Sequence, residues 1–332
     1  MNIIQISEKF QTPIDTIKYF ESYRWKDGRY CPYCKEKHTG NRSKDNRFKC
    51  TKCKKSFSVT TGTYLHDTRL PLKTWLLMFS IVSDAKKGLS ALQLQRNLGI
   101  SYPTAFKSYH KIREIMILEN KEVKLSGILE QDEIFVGGKP RPMSNDECLA
   151  PKERKELDEK IKEYEKDGFD FEPNEKRNVA CDKDIKRGRG SQKKTPVVGI
   201  AQRNGNVVAE VMKKLSYKEL KTLVEKHVDN ADDSLLITDE YKGYNQFGKI
   251  IEHIKIEHSE MYSYRGVNTN TIESFWSFIK RQIMGQHHHV SKKKLYLYVA
   301  ETVFKFNNRN EDDMFETLVK LSMKDKNINQ PN

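Results

Sequence analysis

The chain of 332 residues contains no run of about eighteen apolar residues, so it has no candidate membrane-spanning helix. Its opening residues, MNIIQISEKFQTP, lack the basic-then-apolar order of a secretory signal. Acids are in deficit: 46 Asp and Glu against 60 Lys and Arg leave a net charge of +14. That surplus points to a polyanionic partner, nucleic acid or an anionic membrane surface, and with no membrane signal nucleic acid leads. Apolar residues make up only 36%, but 10% are aromatic, which excludes a disordered composition. The length suffices for two or three domains. Cysteine is sparse, six in all. With no signal segment the expected compartment is the cytoplasm, at the nucleoid when bound to DNA, where thiols stay reduced.

Four of those cysteines form two knuckles, Cys31-Pro-Tyr-Cys34 and Cys50-Thr-Lys-Cys53, with fifteen residues between them. This is the spacing of a tetrahedral Cys₄ zinc site. So short a segment has little core of its own, and the metal is expected to do most of its folding. The compartment disfavours disulfides. A thioredoxin-like redox tetrad is the rival reading of Cys-Pro-Tyr-Cys, but it needs a βαβ context and leaves Cys50 and Cys53 unexplained. Cys148 and Cys181 read as ordinary thiols. The ribbon is dense in Lys and Arg, with Tyr33, Phe48 and Phe57 interleaved, which suits phosphate contact as well as a solvated basic surface. Residues 14–23 predict a short helix before it.

Helical periodicity begins at Pro71, with Leu72, Trp75, Leu76, Phe79 and Val82 on one face. Ser90 is placed to cap a second helix, Gly99 to end it, and Ser101 to cap a third that reaches about Leu118. Helix, glycine turn, helix is the order of a helix-turn-helix; a plain helical hairpin is the alternative. In the DNA-binding version Tyr102, Thr104, Lys107 and Ser108 face the groove.

The period then changes. Residues 127–136 read as a strand closed by a glycine turn, with Glu130 and Asp132 on one face and Glu133 on the other. An acid in the middle of a strand is costly when buried unless it pairs or binds metal, which makes Asp132 a candidate ligand and Glu130 and Glu133 lesser ones. Residues 143–186 read as a charged surface insertion without a catalytic role, followed by a basic loop holding Arg187, Arg189, Lys193 and Lys194 fit for phosphates. A hairpin around Asn204-Gly205 follows. Next comes the apolar strand 235–238, with Asp239 at its carboxyl end, where open α/β sheets place functional groups. On the helix that starts near Asn268, Asn270, Glu273 and Lys280 share a face while Phe275, Trp276 and Ile279 are left to pack. If their strands are neighbours, Asp132, Asp239 and Glu273 converge. Converging carboxylates repel unless divalent cations neutralise them, and two Mg²⁺ about 4 Å apart are the arrangement that activates a nucleophile at phosphorus. Residues 292–308 predict a packing helix, and the chain past Asp325 reads as a loose polar end. His287-His-His289 reads as a DNA-contacting loop or chance, since adjacent histidines cannot all reach one ion from a regular helix.

Taken together the motifs resemble a known family. They include Arg24-Trp-Lys-Asp-Gly28 before the first knuckle, Gly88-Leu-Ser-Ala-Leu-Gln93, Asp132-Glu133 with Gly137-Gly-Lys139, Arg187-Gly-Arg-Gly190, Thr238-Asp239, Thr269-Asn-Thr-Ile-Glu273 with Phe275-Trp276 and Lys280-Arg281, and Glu301 with Phe306-Asn307. In that order the chain is similar to bacterial insertion-sequence transposases of the ISXO-like group. The resemblance implies an α/β, ribonuclease H-like mixed sheet flanked by helices, preceded by a small zinc ribbon and a helix-turn-helix. It implies four parts: 1–62, an N-terminal helix with the ribbon; 63–122, the helical DNA-binding region; 123–310, the DDE catalytic domain; and 311–332, a C-terminal tail. The implied activity is DNA transposition: binding of terminal inverted repeats, hydrolytic nicking at the element ends, then attack of the freed 3′-hydroxyl on target DNA, with partner copies of the chain in the synaptic complex. Asp132, Asp239 and Glu273 are the implied ligands of Mg²⁺ or Mn²⁺, and Cys31, Cys34, Cys50 and Cys53 those of a structural Zn²⁺. Asn270 stands beside them as ligand, support or cap. Lys280 holds a phosphate, and Arg281 joins the DNA-contacting residues. Two rival functions are a non-catalytic DNA-binding regulator, which has no need of three acids, and another ribonuclease H-like nuclease, which has no need of so large a DNA-reading front end.

Overall fold

The structure, a computed structural model, describes residues 1–37, 40–137, 151–166, 194–256, 268–310 and 313–326. The chain opens with two short helices, α1 (Ile3–Lys9) and α2 (Pro13–Arg24). Both start at capping boxes, Asn2 with Gln5 and Thr12 with Asp15, in which side chain and backbone satisfy each other's first-turn groups. The ribbon follows with a two-stranded antiparallel pair, β1 (Phe48–Lys49) and β2 (Ser56–Phe57). Three helices come next: α3 (Leu72–Asp84), α4 (Ala91–Leu98) and α5 (Tyr102–Asn120). Ser90 caps α4 through its hydroxyl, and Gly99 ends it at φ +65°, a backbone state that suits glycine. Ser101 sits at the start of α5 as expected, but its hydroxyl meets that of Thr104 rather than a backbone N–H.

The second half builds on one sheet: β3 (Ile128–Val136), β4 (Thr195–Gln202), β5 (Val207–Val211), β6 (Leu235–Thr238) and β7 (Glu252–Lys255). Its order is β5-β4-β3-β6-β7, with β4 and β5 an antiparallel hairpin and β3, β6 and β7 parallel neighbours. A run of consecutive strands extended on its other side by parallel ones, with helices against it, is the ribonuclease H-like arrangement. Helix α6 (Pro151–Lys166) belongs to a separate compact unit, residues 135–195; its described side chains are charged and exposed except Ile161. The flanking helices are α7 (Tyr217–His227), α8 (Asn270–Lys280), α9 (Leu295–Asn307) and α10 (Met314–Ser322), with a π-helical turn, Arg281–His287, after α8.

Two apolar cores result among the described residues. One gathers Phe20, Trp25, Phe48, Phe57, Trp75, Phe79, Leu94, Tyr109 and Ile112 from the ribbon and α2–α5, and it is completed by Phe315, Leu318 and Val319 of α10. The other lies between the sheet and α7, with Leu129, Val198, Leu223, Leu236, Tyr244 and Phe247. The described residues 313–326 are thus more than part of a tail, as 311–332 read in the sequence. They carry a buried helix, and Asp325 then pairs with Arg24 at 3.2 Å while the Lys326 N–H reaches the Gly62 carbonyl. Nor does the ribbon depend on metal alone, since Phe48 and Phe57 stack beneath Trp25 in the shared core. Among the described residues no helix is long and apolar enough to cross a membrane.

One buried ionic group ties α5 to α9. Glu301 accepts from Arg113 at 2.8 Å, Lys305 at 2.8 Å and the Tyr109 hydroxyl. Burial alone would push its carboxyl up, but Lys305 and Arg113 outweigh that and hold it well below the usual carboxylate range. Removing one partner of such a group leaves buried charge uncompensated, so Glu301→Ala is expected to cost about 3–5 kcal/mol, read as a fall in the unfolding midpoint. Because the folded carboxyl titrates below its unfolded value, its contribution is complete above about pH 4.3 and is lost as pH falls through the folded value. The midpoint should therefore drop more steeply with acid in the native chain than in Glu301→Gln.

Candidate functional site

The four ribbon sulfurs are placed for a metal. Cys31 and Cys53 Sγ lie 3.7 Å apart, Cys34 and Cys50 3.6 Å, and all four within 4.8 Å of one another. Tetrahedral zinc with Zn–S of about 2.3 Å separates its sulfurs by about 3.8 Å, so the donor set fits the ion. Of the ribbon's interleaved aromatics only Tyr33 is exposed; Phe48 and Phe57 are buried and so are removed from DNA contact.

The acidic site is made by strand register. Parallel pairing sets Gln131 of β3 opposite Thr238 of β6, so the next residues, Asp132 and Asp239, stand side by side where β6 ends. Carboxylate oxygens of Asp132, Glu133 and Asp239 all lie within 4.8 Å of one another. Glu133 leaves the other face of the strand, where the buried Tyr244 hydroxyl donates to it at 2.9 Å. Asp239 also accepts the N–H of Tyr241 at 3.0 Å. Burial pushes the Asp132 carboxyl up to about 6, and the charges of Asp239 and Glu273 push the same way, against the Glu133 N–H and the Trp276 indole.

Helix α8 completes the cleft. Ile272, Phe275, Trp276 and Ile279 are buried, while Asn270, Glu273 and Lys280 are exposed and, with Asp132 and Glu133, line an open cleft of about 530 Å³. The first turn of the helix is pinned by Glu130. This buried carboxylate accepts the Thr271 N–H at 2.7 Å, the Ile272 N–H at 3.0 Å and the Thr271 hydroxyl at 3.0 Å, satisfying donors that a helix start leaves open. Arg203, from the β4–β5 turn, pairs with Glu130 at 2.9 Å and donates to the Asn268 carbonyl. Glu130 is therefore a structural acceptor, not the metal candidate its strand position suggested. Asn270 is not the cap either: Thr269 precedes the helix, Asn268 Oδ1 accepts the Asn270 N–H, and the Thr269 hydroxyl donates to Glu273 at 3.0 Å.

The expected DNA-facing residues divide. Tyr102 and Lys107 are exposed at the start of α5 and Thr104 is half-buried, but Ser108 is buried and cannot reach a groove. Phe106, which the sequence reading passed over, is exposed beside Tyr102, with ring centroids 5.9 Å apart. Lys194 and Arg281 are exposed, the latter over the Phe278 ring; Arg187, Arg189 and Lys193 lie outside the described residues. His287 packs on Tyr298 at the end of the π-helical turn, where burial lowers its pKa to about 4, and no histidine belongs to a metal-ready group among the described residues.

Two measurements check these assignments. Protein purified without chelator should carry one zinc per chain, lost together with thermal stability in Cys50→Ser; metal-free protein of unchanged stability would reject the ribbon site. Glu130→Ala, which removes the acceptor at the start of α8, should lower stability by about 3 kcal/mol or more in chemical denaturation.

Comparison with known proteins agrees with this architecture. Residues 15–56 match the transposase zinc-ribbon domain, and residues 169–307 match the ISXO2-like transposase domain, a span that begins after Asp132. An uncharacterized protein in transposable element ISH50 of Halobacterium salinarum is 24% identical over 286 residues, covering 83% of this chain and 84% of that protein. A structure of the Mos1 transposase paired-end complex with left transposon end aligns over 75% of this chain and 79% of its own, at 10% identity and a TM-score of 0.24, too distant to bear on the fold. The ribbon and the sheet domain thus match two domains of the same kind of protein, the ISXO2-like transposases.

Proposed function

We propose that this transposase binds the terminal inverted repeats of its element and cuts and joins DNA strands by metal-assisted phosphoryl transfer in the cleft between β3 and α8, beside the end of β6. The observation that carries the reading is the register that sets Asp132 beside Asp239, with Glu273 on the lip of the same cleft. Asp132, Glu133 and Asp239 gathered within 4.8 Å, with Glu273 across the cleft from Asp132, would be a net cost with no chemical role; as ligands such acids offer oxygen donors to hard cations, Mg²⁺ or Mn²⁺. Divalent ions there would supply positive charge to the scissile phosphate and acidify an attacking hydroxyl.

The chain's own residues do the rest. Asp132 and Asp239 hold the cation site from the sheet, and Glu273 closes it from α8, kept in place by the Thr269 hydroxyl. Asn270, exposed in the first turn of the same helix, is placed to support a ligand or a phosphate oxygen. Lys280, two turns along, offers a cation to the backbone of the strand being cut. In the first step water attacks phosphorus and the 3′-oxygen leaves with a proton. In the second, that 3′-hydroxyl attacks a target phosphodiester and displaces another 3′-oxygen, which takes up the proton, so this step exchanges one phosphodiester for another. Tyr102, Thr104 and Lys107 on α5, together with Lys194 and Arg281, would position the duplex, and two chains would hold two ends together.

The test is cleavage of a duplex carrying the terminal inverted repeat. Native protein with Mg²⁺ should nick at the repeat's end, and Asp239→Asn should cut at least roughly a thousandfold more slowly, the scale of removing an electrostatic group from a reacting centre. Cutting that needs no divalent metal, or that survives Asp239→Asn, would refute the mechanism. Affinity for the repeat should fall steeply with salt, since Lys and Arg release counterions from the phosphates.

A further inference from the structure

Trp276 does more than fill the core. It is 3% exposed, and its indole lies against Gly199 of β4, where an added Cβ would come within 2.8 Å of Cη2 and 3.1 Å of Cζ2. Phe275 supports it from the neighbouring position, with ring centroids 5.2 Å apart. A phenylalanine would supply most of that apolar contact. What only the indole adds is one N–H donor, and it is aimed at Asp132 Oδ2, 3.0 Å away. Glu130, two residues earlier on the same face of β3, holds the first turn of α8. The strand and the helix are therefore joined at two points, and the second passes through the carboxylate of the proposed metal ligand. An aspartate side chain has two freely rotating bonds, and fixing one of its oxygens removes most of that freedom while leaving lone pairs for a cation.

We propose that Trp276 is a positioning residue for the metal centre: its indole N–H fixes the Asp132 carboxylate, so that β3 and the Glu273-bearing α8 present their acids to the cations as one rigid unit. Gly199 is the clearance that lets the indole sit there. The proposal rests on Asp132 being a metal ligand. It also distinguishes Trp276 from Trp25 and Trp75, the chain's other tryptophans, whose indoles lie in the first core.

Indole-¹⁵N-labelled protein gives three tryptophan side-chain signals, of which that of Trp276 is the one absent in Trp276→Phe. Titration with Mg²⁺, without DNA, should move the Trp276 Nε1–H signal, leave those of Trp25 and Trp75 in place, and have no effect on it in Asp132→Asn. In cleavage, Trp276→Phe should need roughly tenfold more Mg²⁺ for half its maximal rate, the fold-change that one hydrogen bond to a charged group carries, and should recover at saturating Mg²⁺. Gly199→Ala, which crowds the indole but keeps its donor, should shift the Mg²⁺ dependence in the same direction. If Trp276→Phe does not fold, the wild-type titration decides alone, the Trp276 signal then being the one displaced by Asp132→Asn. A Trp276 signal indifferent to Mg²⁺, or an unchanged Mg²⁺ dependence in Trp276→Phe, overturns the positioning role. Unimpaired cutting by Asp132→Asn would instead overturn the assignment of Asp132 as a ligand.

Discussion

Glu130 sits in the middle of β3 with no exposure to solvent, and the arrangement of the acidic cleft depends on what surrounds it. A buried carboxylate is tolerable only where donors replace water, and here they arrive from two directions: the first-turn N–H groups of α8 and the Arg203 guanidinium from the β4–β5 turn. The pairing fixes where α8 begins and which of its faces meets the sheet. With Ile272 and Trp276 set over Gly199, the helix has no alternative rotation that keeps its apolar face covered. Asn270, Glu273 and Lys280 then project into the cleft because every other face of the helix is committed.

The same logic explains how two acids on one face of one strand acquire different tasks. Glu130 lies deeper, beneath the start of α8, and is saturated by donors. Asp132, one pleat further along, lies half-buried where β6 ends, with Asp239 beside it. Repulsion among Asp132, Asp239 and Glu273 is then the useful quantity. It adds to burial, the larger cause, in pushing the Asp132 carboxyl up to about 6, and makes the site a natural place for divalent cations. Behind the cleft, the Glu301 group joins α9 to α5, so the helix with the exposed Tyr102 and Lys107 and the sheet domain share one buried framework.

Much of this was legible in the residues. Asp239 stood out because a continuous apolar strand ended on it, Asp132 because an acid in a strand needs a reason, and Glu273 because a helical face gathered polar groups opposite Phe275 and Trp276. The zinc ribbon was legible from spacing alone. What was not legible depended on contacts distant in sequence. Nothing local distinguishes Glu130 from Asp132; the distinction is made by Arg203, 73 positions away. The indole N–H of Trp276 had no foreseeable partner, and Glu133 gave no hint of Tyr244. Ser108 was misplaced because a helix-turn-helix reading assigns the start of its second helix to DNA, whereas the turn carrying Ser108 and Tyr109 faces the core. Helix α10 was a different kind of miss: Phe315, Leu318 and Val319 carry helical spacing in plain view, yet residues 311–332 were read as a C-terminal tail.

Whether Asp132, Asp239 and Glu273 together hold divalent cations can be read by replacing Mg²⁺ with Fe²⁺ under oxidising conditions and mapping where the chain is cut. Bound iron cleaves backbone only within its immediate surroundings. Cuts are expected near the ends of β3 and β6 and at the start of α8, all suppressed by excess Mg²⁺ and absent in Asp239→Asn. Cuts elsewhere, or cuts at those places that Mg²⁺ does not suppress, would contradict that ligand set.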